Sequence, residues 1–219
     1  MIRAIVFDFD GVIIDSEPLH LATYQEVFAT LGATLTREDY YANLLGYSDH
    51  DVFRIVGAQH GWAWNGGQIA ALITQKSEIF DQAVASGAVL YPGAAACIER
   101  LAASFPLGIA SGAFRHEIET VLTGASLRHH FRFIVGAGDT PNSKPAPDPY
   151  LRAAELHGIS ASDCVAIEDS RWGIESAKTA GMKCVGITNT YPASELTTAD
   201  HVISSLEEFT EQFIQGLSV

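Results

Sequence analysis

Apolar positions along this chain fall into two rhythms. Four short runs, "AIVF" at 4–7, "LGIA" at 107–110, "FIVG" at 133–136 and "CVAI" at 164–167, are apolar without alternation. That is the signature of strands buried on both faces of a parallel sheet. "KCVGIT" at 183–188 adds a fifth and "HVI" at 201–203 offers a sixth. Between them the period changes to that of helices: "PGAAACIERLAAS", "FRHEIETVLTGA", "DPYLRAAELHGI" with Asp148 as N-cap and Pro149 at the first helical position, and "RWGIESAKTAG" closed by Gly181. Strand and helix in alternation predict an α/β fold with a doubly wound parallel sheet, Rossmann-like in its winding.

Residues 17 to 86 break this rhythm, because every apolar repeat there is helical. "SEPLHLATYQEVFATLG" places Leu21, Tyr24, Phe28 and Leu31 at three-four spacing, and further helices are expected near 37–45, 49–59 and 67–84. The pattern predicts a helical cap, 17–86, inserted into a core formed by 1–16 and 87–219. Its flanks, "GVIIDSE" and "ASGAVLYPG", would be two linkers crossing side by side, an arrangement suited to a hinge.

The ends of the apolar runs carry the chemistry. The first stops at Asp8 and Asp10, the second at Ser111, and the run at 164–167 at Glu168 and Asp169. In an open parallel sheet all carboxyl ends lie on one edge, where ligands bind. Four carboxylates gathered there repel one another unless a cation neutralises them, and hard oxygen ligands select Mg²⁺. "DFDGVIIDSE" (8–17), "GIASG" (108–112), "SKPAPDPYL" (143–151) and "AIEDSRWGIESAKTAGM" (166–182) together resemble the four ordered motifs of the haloacid dehalogenase superfamily, in the right order across nearly the whole core. The helical insertion resembles the cap of the branch that holds β-phosphoglucomutase and the phosphoglycolate phosphatases.

That resemblance implies a Mg²⁺-dependent phosphatase acting on a small phosphorylated metabolite, a sugar phosphate being the expected kind, through an aspartyl-phosphate. It implies Asp8 as nucleophile and Asp10 as general acid and base, with its backbone carbonyl on the metal. Ser111, Gly112 and Lys144 would hold the phosphoryl group, and Glu168 and Asp169 would complete the metal site with Asp8. Retention of an acid at position 10 points to phosphate monoesters.

In the cap, the resemblance suggests substrate contacts from Gly46, Tyr47 and Ser48. Lys76 falls on the stripe of Ile69, Leu72, Ile73 and Phe80, where an apolar residue is expected; it either reaches past its neighbours to solvent or meets an anionic substrate. His20 either polarises a substrate hydroxyl or packs in the hinge. Where β-phosphoglucomutase has an arginine that grips a second phosphate, this chain has Asp49, which sets a phosphomutase behind a phosphatase as the alternative.

Composition narrows the partners. A net charge of −13 repels nucleic-acid backbones and anionic membranes, so an anionic ligand needs local positive charge such as Lys144. The amino terminus turns acidic after a few apolar residues, unlike a signal peptide or a spanning helix, so a cytoplasmic protein, monomeric or weakly dimeric, is expected. Cys97, Cys164 and Cys184 lack ligand spacing and are expected as buried free thiols.

Overall fold

The first strand, β1 (Ala4–Phe7), is buried along its whole length and flanked on both sides. With β2 (Leu107–Ala110), β3 (Phe131–Val135), β4 (Cys164–Glu168), β5 (Lys183–Ile187) and β6 (His201–Ile203) it forms one sheet in the order β3-β2-β1-β4-β5-β6, parallel throughout. The computed structural model describes residues 1–85 and 90–217. β3 starts earlier than its apolar run, at Phe131. As an edge strand it can leave Arg132 exposed and Phe133 half-buried, where β1, β2 and β4 are buried throughout.

In chain order the helices are α1 (Glu17–Thr30), α2 (Arg37–Asn43), α3 (Asp49–Gln59), α4 (Gly66–Ala85), α5 (Ala94–Ala102), α6 (Arg115–Gly124), α7 (Asp148–His157), α8 (Arg171–Thr179) and α9 (Glu211–Gly216). On one sheet face Ala4, Val6, Ala110 and Ala166 pack against Tyr150 and Ala153 of α7 and Ile174 and Ala177 of α8. On the other, the Phe7 ring meets Phe131 and Phe209 edge-on at 6.0 and 6.2 Å. Fully burying side chains of this size stabilises the fold by roughly 1.5–3 kcal/mol each. The expected N-cap of α7 is corrected: Pro147 holds that position and Asp148 is the first helical residue. The Asp148 carboxylate accepts from Asn142 Nδ2 at 3.0 Å and still lies at the positive end of the helix.

Contacts divide the chain into two compact units, Met1–Asp15 with Ala88–Val219, and Ser16–Gly87. Part of the second predicted linker, and the boundary expected at residue 87, lie outside the described residues. The helical unit has its own core, in which Tyr24, Val27 and Phe28 of α1 pack with Phe53 and Val56 of α3 and Ile69 of α4. Trp62 and Trp64 join it, ring against ring at 5.0 Å, with Trp64 edge-on to Phe53. All three cysteines are buried free thiols.

Candidate active site

The strand order reverses at β1, and the acidic residues gather there. Phe7 pairs with Ile167 and the Asp8 N–H donates to the Ile167 carbonyl at 3.0 Å, so the registers of β1 and β4 deliver Asp8 and Glu168 to the same edge side by side. Beyond Asp8 the chain turns back at once: Ile13 N–H donates to Phe9 O at 2.8 Å and Gly11 N–H to Ile14 O at 3.0 Å. Gly11 adopts φ +72°, and a Cβ there would stand 1.8 Å from Asp169 Oδ2. Only glycine therefore lets the Asp169 carboxylate lie against this turn. Asn189 Nδ2 braces the turn from β5's end, donating to Gly11 O at 2.8 Å. Asp10 sits half-buried in the same turn.

Asp8 is oriented by two donors on one oxygen: its Oδ1 accepts the Phe9 N–H at 2.7 Å and lies 2.8 Å from Lys144 Nζ. The same ammonium stands 2.6 Å from Glu168 Oε1. Glu168 is wholly buried and its Oε1 also accepts the Tyr150 hydroxyl at 2.6 Å, while Ser170 Oγ reaches Oε2 at 3.3 Å. Ser170 doubles as the N-cap of α8, accepting from Gly173 N–H.

Ligand oxygens of Asp8, Glu168 and Asp169 all fall within 4.8 Å of one another. At that separation each carboxylate pair repels by roughly 3.5 kcal/mol even at an effective dielectric of about 20. With all three ionised, three carboxylates facing one ammonium leave two negative charges over. Burial, then Asp8, pushes the Glu168 carboxyl up to about 7 against the opposing pull of Lys144 and Tyr150. Burial followed by Asp8 and Glu168 drives Asp169 well above the usual carboxylate range. For Lys144, burial works against the charged form, but Asp8 and Glu168 overcome it and raise the ammonium above its ordinary value. An excess of two negative charges on three hard oxygen donors fits a divalent cation, and Mg²⁺ by ligand type.

Ser111 follows β2 and is buried; its hydroxyl accepts the Ala113 N–H at 3.1 Å. With Gly112, Ser143 and Lys144 it lines a small cavity of about 100 Å³. Four stretches far apart in sequence thus converge on one sheet edge.

The cap candidates lie in the helical unit, where Lys76 and His20 stand against each other. Lys76 does not reach solvent: it is 4 % exposed, and its Nζ lies 3.0 and 3.2 Å from the Asp49 carboxylate oxygens and 2.9 Å from His20 Nδ1. The ammonium also lies over the rings of Tyr24 and Phe80, and the Tyr24 hydroxyl donates to Asp49. An inward position between a carboxylate and two aromatic faces outweighs snorkelling, because the stem stays in the core while the charge is paired. His20 stacks on Phe80 at 4.5 Å, and burial, then Lys76, lowers its ring to about 3, so it stays neutral. Ser48 caps α3, its hydroxyl accepting from Asp51 N–H, while Gly46 takes φ +78° beside an exposed Tyr47.

Sequence reasoning missed three participants: Tyr150, Asn189 and the pairing of Asp49 with Lys76. Tyr150 had a legible signal, since it shares the apolar stripe of α7 with Ala153 and Ala154, and a buried tyrosine must place its hydroxyl on a partner. Asn189 and the Asp49–Lys76 contact depend on neighbours distant in the chain and left no local trace.

Comparison with known proteins agrees with this arrangement. The family described as Haloacid dehalogenase-like hydrolase matches residues 5–187. Protein CbbY of Rhodobacter capsulatus is 30% identical over 224 residues, spanning 99% of each chain. Hexitol phosphatase B of Escherichia coli (strain K12) is 32% identical over 225 residues, covering 98% of this chain and 97% of its own. The crystal structure of CbbY from Rhodobacter sphaeroides in complex with phosphate superposes with a TM-score of 0.81 at 28% identity, both chains covered fully.

Proposed function

Given that the chain belongs to the haloacid dehalogenase-like hydrolase family, we propose that it is a Mg²⁺-dependent phosphatase that cleaves a small phosphate monoester, a sugar or hexitol phosphate, through an aspartyl-phosphate on Asp8. The observation that carries this reading is the carboxylate of Asp8, held by Lys144 at 2.8 Å inside a cluster two negative charges in excess.

Asp8, Glu168 and Asp169, with the Asp10 carbonyl, would hold the metal, which when bound neutralises phosphoryl oxygens and lets a carboxylate approach an anionic ester. The chain's own groups do the rest. The Asp8 carboxylate attacks phosphorus, forming the acyl phosphate as the ester oxygen leaves. Asp10 supplies the proton that the leaving alkoxide takes up, then accepts one from the water that cleaves the acyl phosphate. The Ser111 hydroxyl, the backbone N–H groups that follow it and the Lys144 ammonium stabilise charge on the equatorial oxygens.

The helical unit argues for monophosphates. Its buried ammonium, Lys76, is already neutralised by Asp49 and so is not spare for a second phosphate. Hydrolysis is favoured over a bisphosphate-primed mutase on that ground.

Phosphate release should be measured across sugar phosphates, hexitol phosphates, phosphoglycolate and nucleoside monophosphates. Turnover that requires Mg²⁺, disappears with chelator and is lost in Asp8→Asn supports the proposal. Turnover unaffected by either manipulation, or none on any ester, overturns it.

A further inference from the structure

Glu168 has a feature the proposed reaction leaves unused: besides Lys144, and the longer contact of Ser170 Oγ to its other oxygen at 3.3 Å, it has a short uncharged donor on the oxygen that Lys144 holds. Tyr150 is fully buried in the first turn of α7, anchored among Ala153, Ala154, Ile174 and Ala177, and its hydroxyl reaches Glu168 Oε1 at 2.6 Å. Its ring also backs Lys144, whose Nζ lies 5.2 Å from the ring centroid. The floor beneath Glu168 is equally tight. A Cβ on Gly173 would fall 1.9 Å from Glu168 Cδ and Oε1, so glycine at this point of α8 is what makes room for the carboxylate.

Lys144 cannot fix Glu168 alone, because its ammonium is divided between Asp8 Oδ1 and Glu168 Oε1. In the proposed reaction the same ammonium also serves the phosphoryl oxygens, a third demand on its three N–H donors. Tyr150 is not subject to that competition. Its hydroxyl is carried on a ring locked in the core, and being neutral it steadies the carboxylate without cancelling any of the negative charge that draws a divalent ion. A lysine or arginine in its place would remove one of the two excess charges.

We propose that Tyr150 is a positioning residue for the metal centre: its hydroxyl, together with the Gly173 floor, fixes the Glu168 carboxylate for Mg²⁺ whichever partner Lys144 engages. The inference rests on the reading of Asp8, Glu168 and Asp169 as the Mg²⁺ site. Outer-shell partners of this kind typically alter metal affinity 10- to 100-fold, about that range being expected here.

The test is Mg²⁺ affinity by titration calorimetry, without substrate, for wild type, Tyr150→Phe, Glu168→Gln and the double variant. Phenylalanine keeps the ring and removes only the hydroxyl, and a thermal melt checks that it folds. Should it not fold, Tyr150→Trp, which keeps an aromatic ring and moves the donor, serves the same comparison. Tyr150→Phe is expected to weaken Mg²⁺ binding about tenfold or more, and to do so only while Glu168 is present. In the Glu168→Gln background the same change should move affinity less than about twofold. An affinity within twofold of wild type, or an equal loss in both backgrounds, overturns the proposal. A wild type that binds no Mg²⁺ overturns the metal-site reading itself and the inference with it, and is distinguished from the other outcomes by appearing before any variant is compared.

Discussion

Lys144 in the α/β unit, half-buried, and Lys76 in the helical unit, buried, are both ammonium groups set against carboxylates, but their surroundings differ in charge balance. Lys76 faces one carboxylate, Asp49, and a neutral His20, with Tyr24 and Phe80 closing over it. Lys144 faces Asp8 and Glu168 with Asp169 beside them. The first group is complete as it stands, like a structural ion pair, whereas the second is deficient in positive charge and held so by the rigid ends of β1 and β4. A buried ion pair by itself says little about function; the residual charge left after pairing says more.

The same chemical change made at each centre gives the sharpest contrast. Asp8→Asn should lower kcat on the best ester by about 10⁴-fold or more while the protein still melts cooperatively. Asp49→Asn strands Lys76 and should lower unfolding free energy by about 3 kcal/mol in urea titrations. The double change Lys76→Met with Asp49→Asn should recover part of that loss, because it removes the stranded charge as well as its partner. Equal stability of single and double variants would show that the pair is not a unit.

The charge deficit supplies the converse prediction. In metal-free buffer Asp169→Asn relieves repulsion and should stabilise the protein by ~2 kcal/mol, while reducing the rise in melting temperature that added Mg²⁺ gives the wild type. A destabilised Asp169→Asn protein would mean that the acidic cluster is not in excess.

A last comparison concerns pH. His20 is held neutral down to about 3 by burial and Lys76, with Asp49 opposing, against an ordinary value of 6.5. Below 6.5 the unfolded ring takes a proton that the folded ring refuses, so this residue makes the fold less stable as pH falls from 6.5 towards 3. His20→Gln should flatten that part of the stability profile without affecting it above pH 7. An unchanged slope would place His20 in a more open setting.

Much of the sheet could be read in the sequence because strands buried on both faces leave uninterrupted apolar runs; Ala4–Phe7 and Leu107–Ala110 coincide with their runs. Edge position blurred the start of β3, where Arg132 interrupts the pattern. The acids at the strand ends were visible because parallel topology sends every carboxyl end to one edge, so Asp8, Glu168 and Asp169 could be grouped without coordinates. Partnerships between helices could not. Lys76 looked anomalous on its stripe, but its partner lies 27 residues away on another helix, and nothing in either local pattern couples them.

The polypeptide leaves the sheet after β1 and spends residues Ser16–Gly87 in a bundle with its own aromatic interior. None of Asp8, Asp10, Ser111, Lys144, Tyr150, Glu168 or Asp169 belongs to that excursion. A gene fragment encoding it could be exchanged for that of a relative without altering any of those seven side chains, so mutation and recombination can vary one segment without first having to rebuild the other.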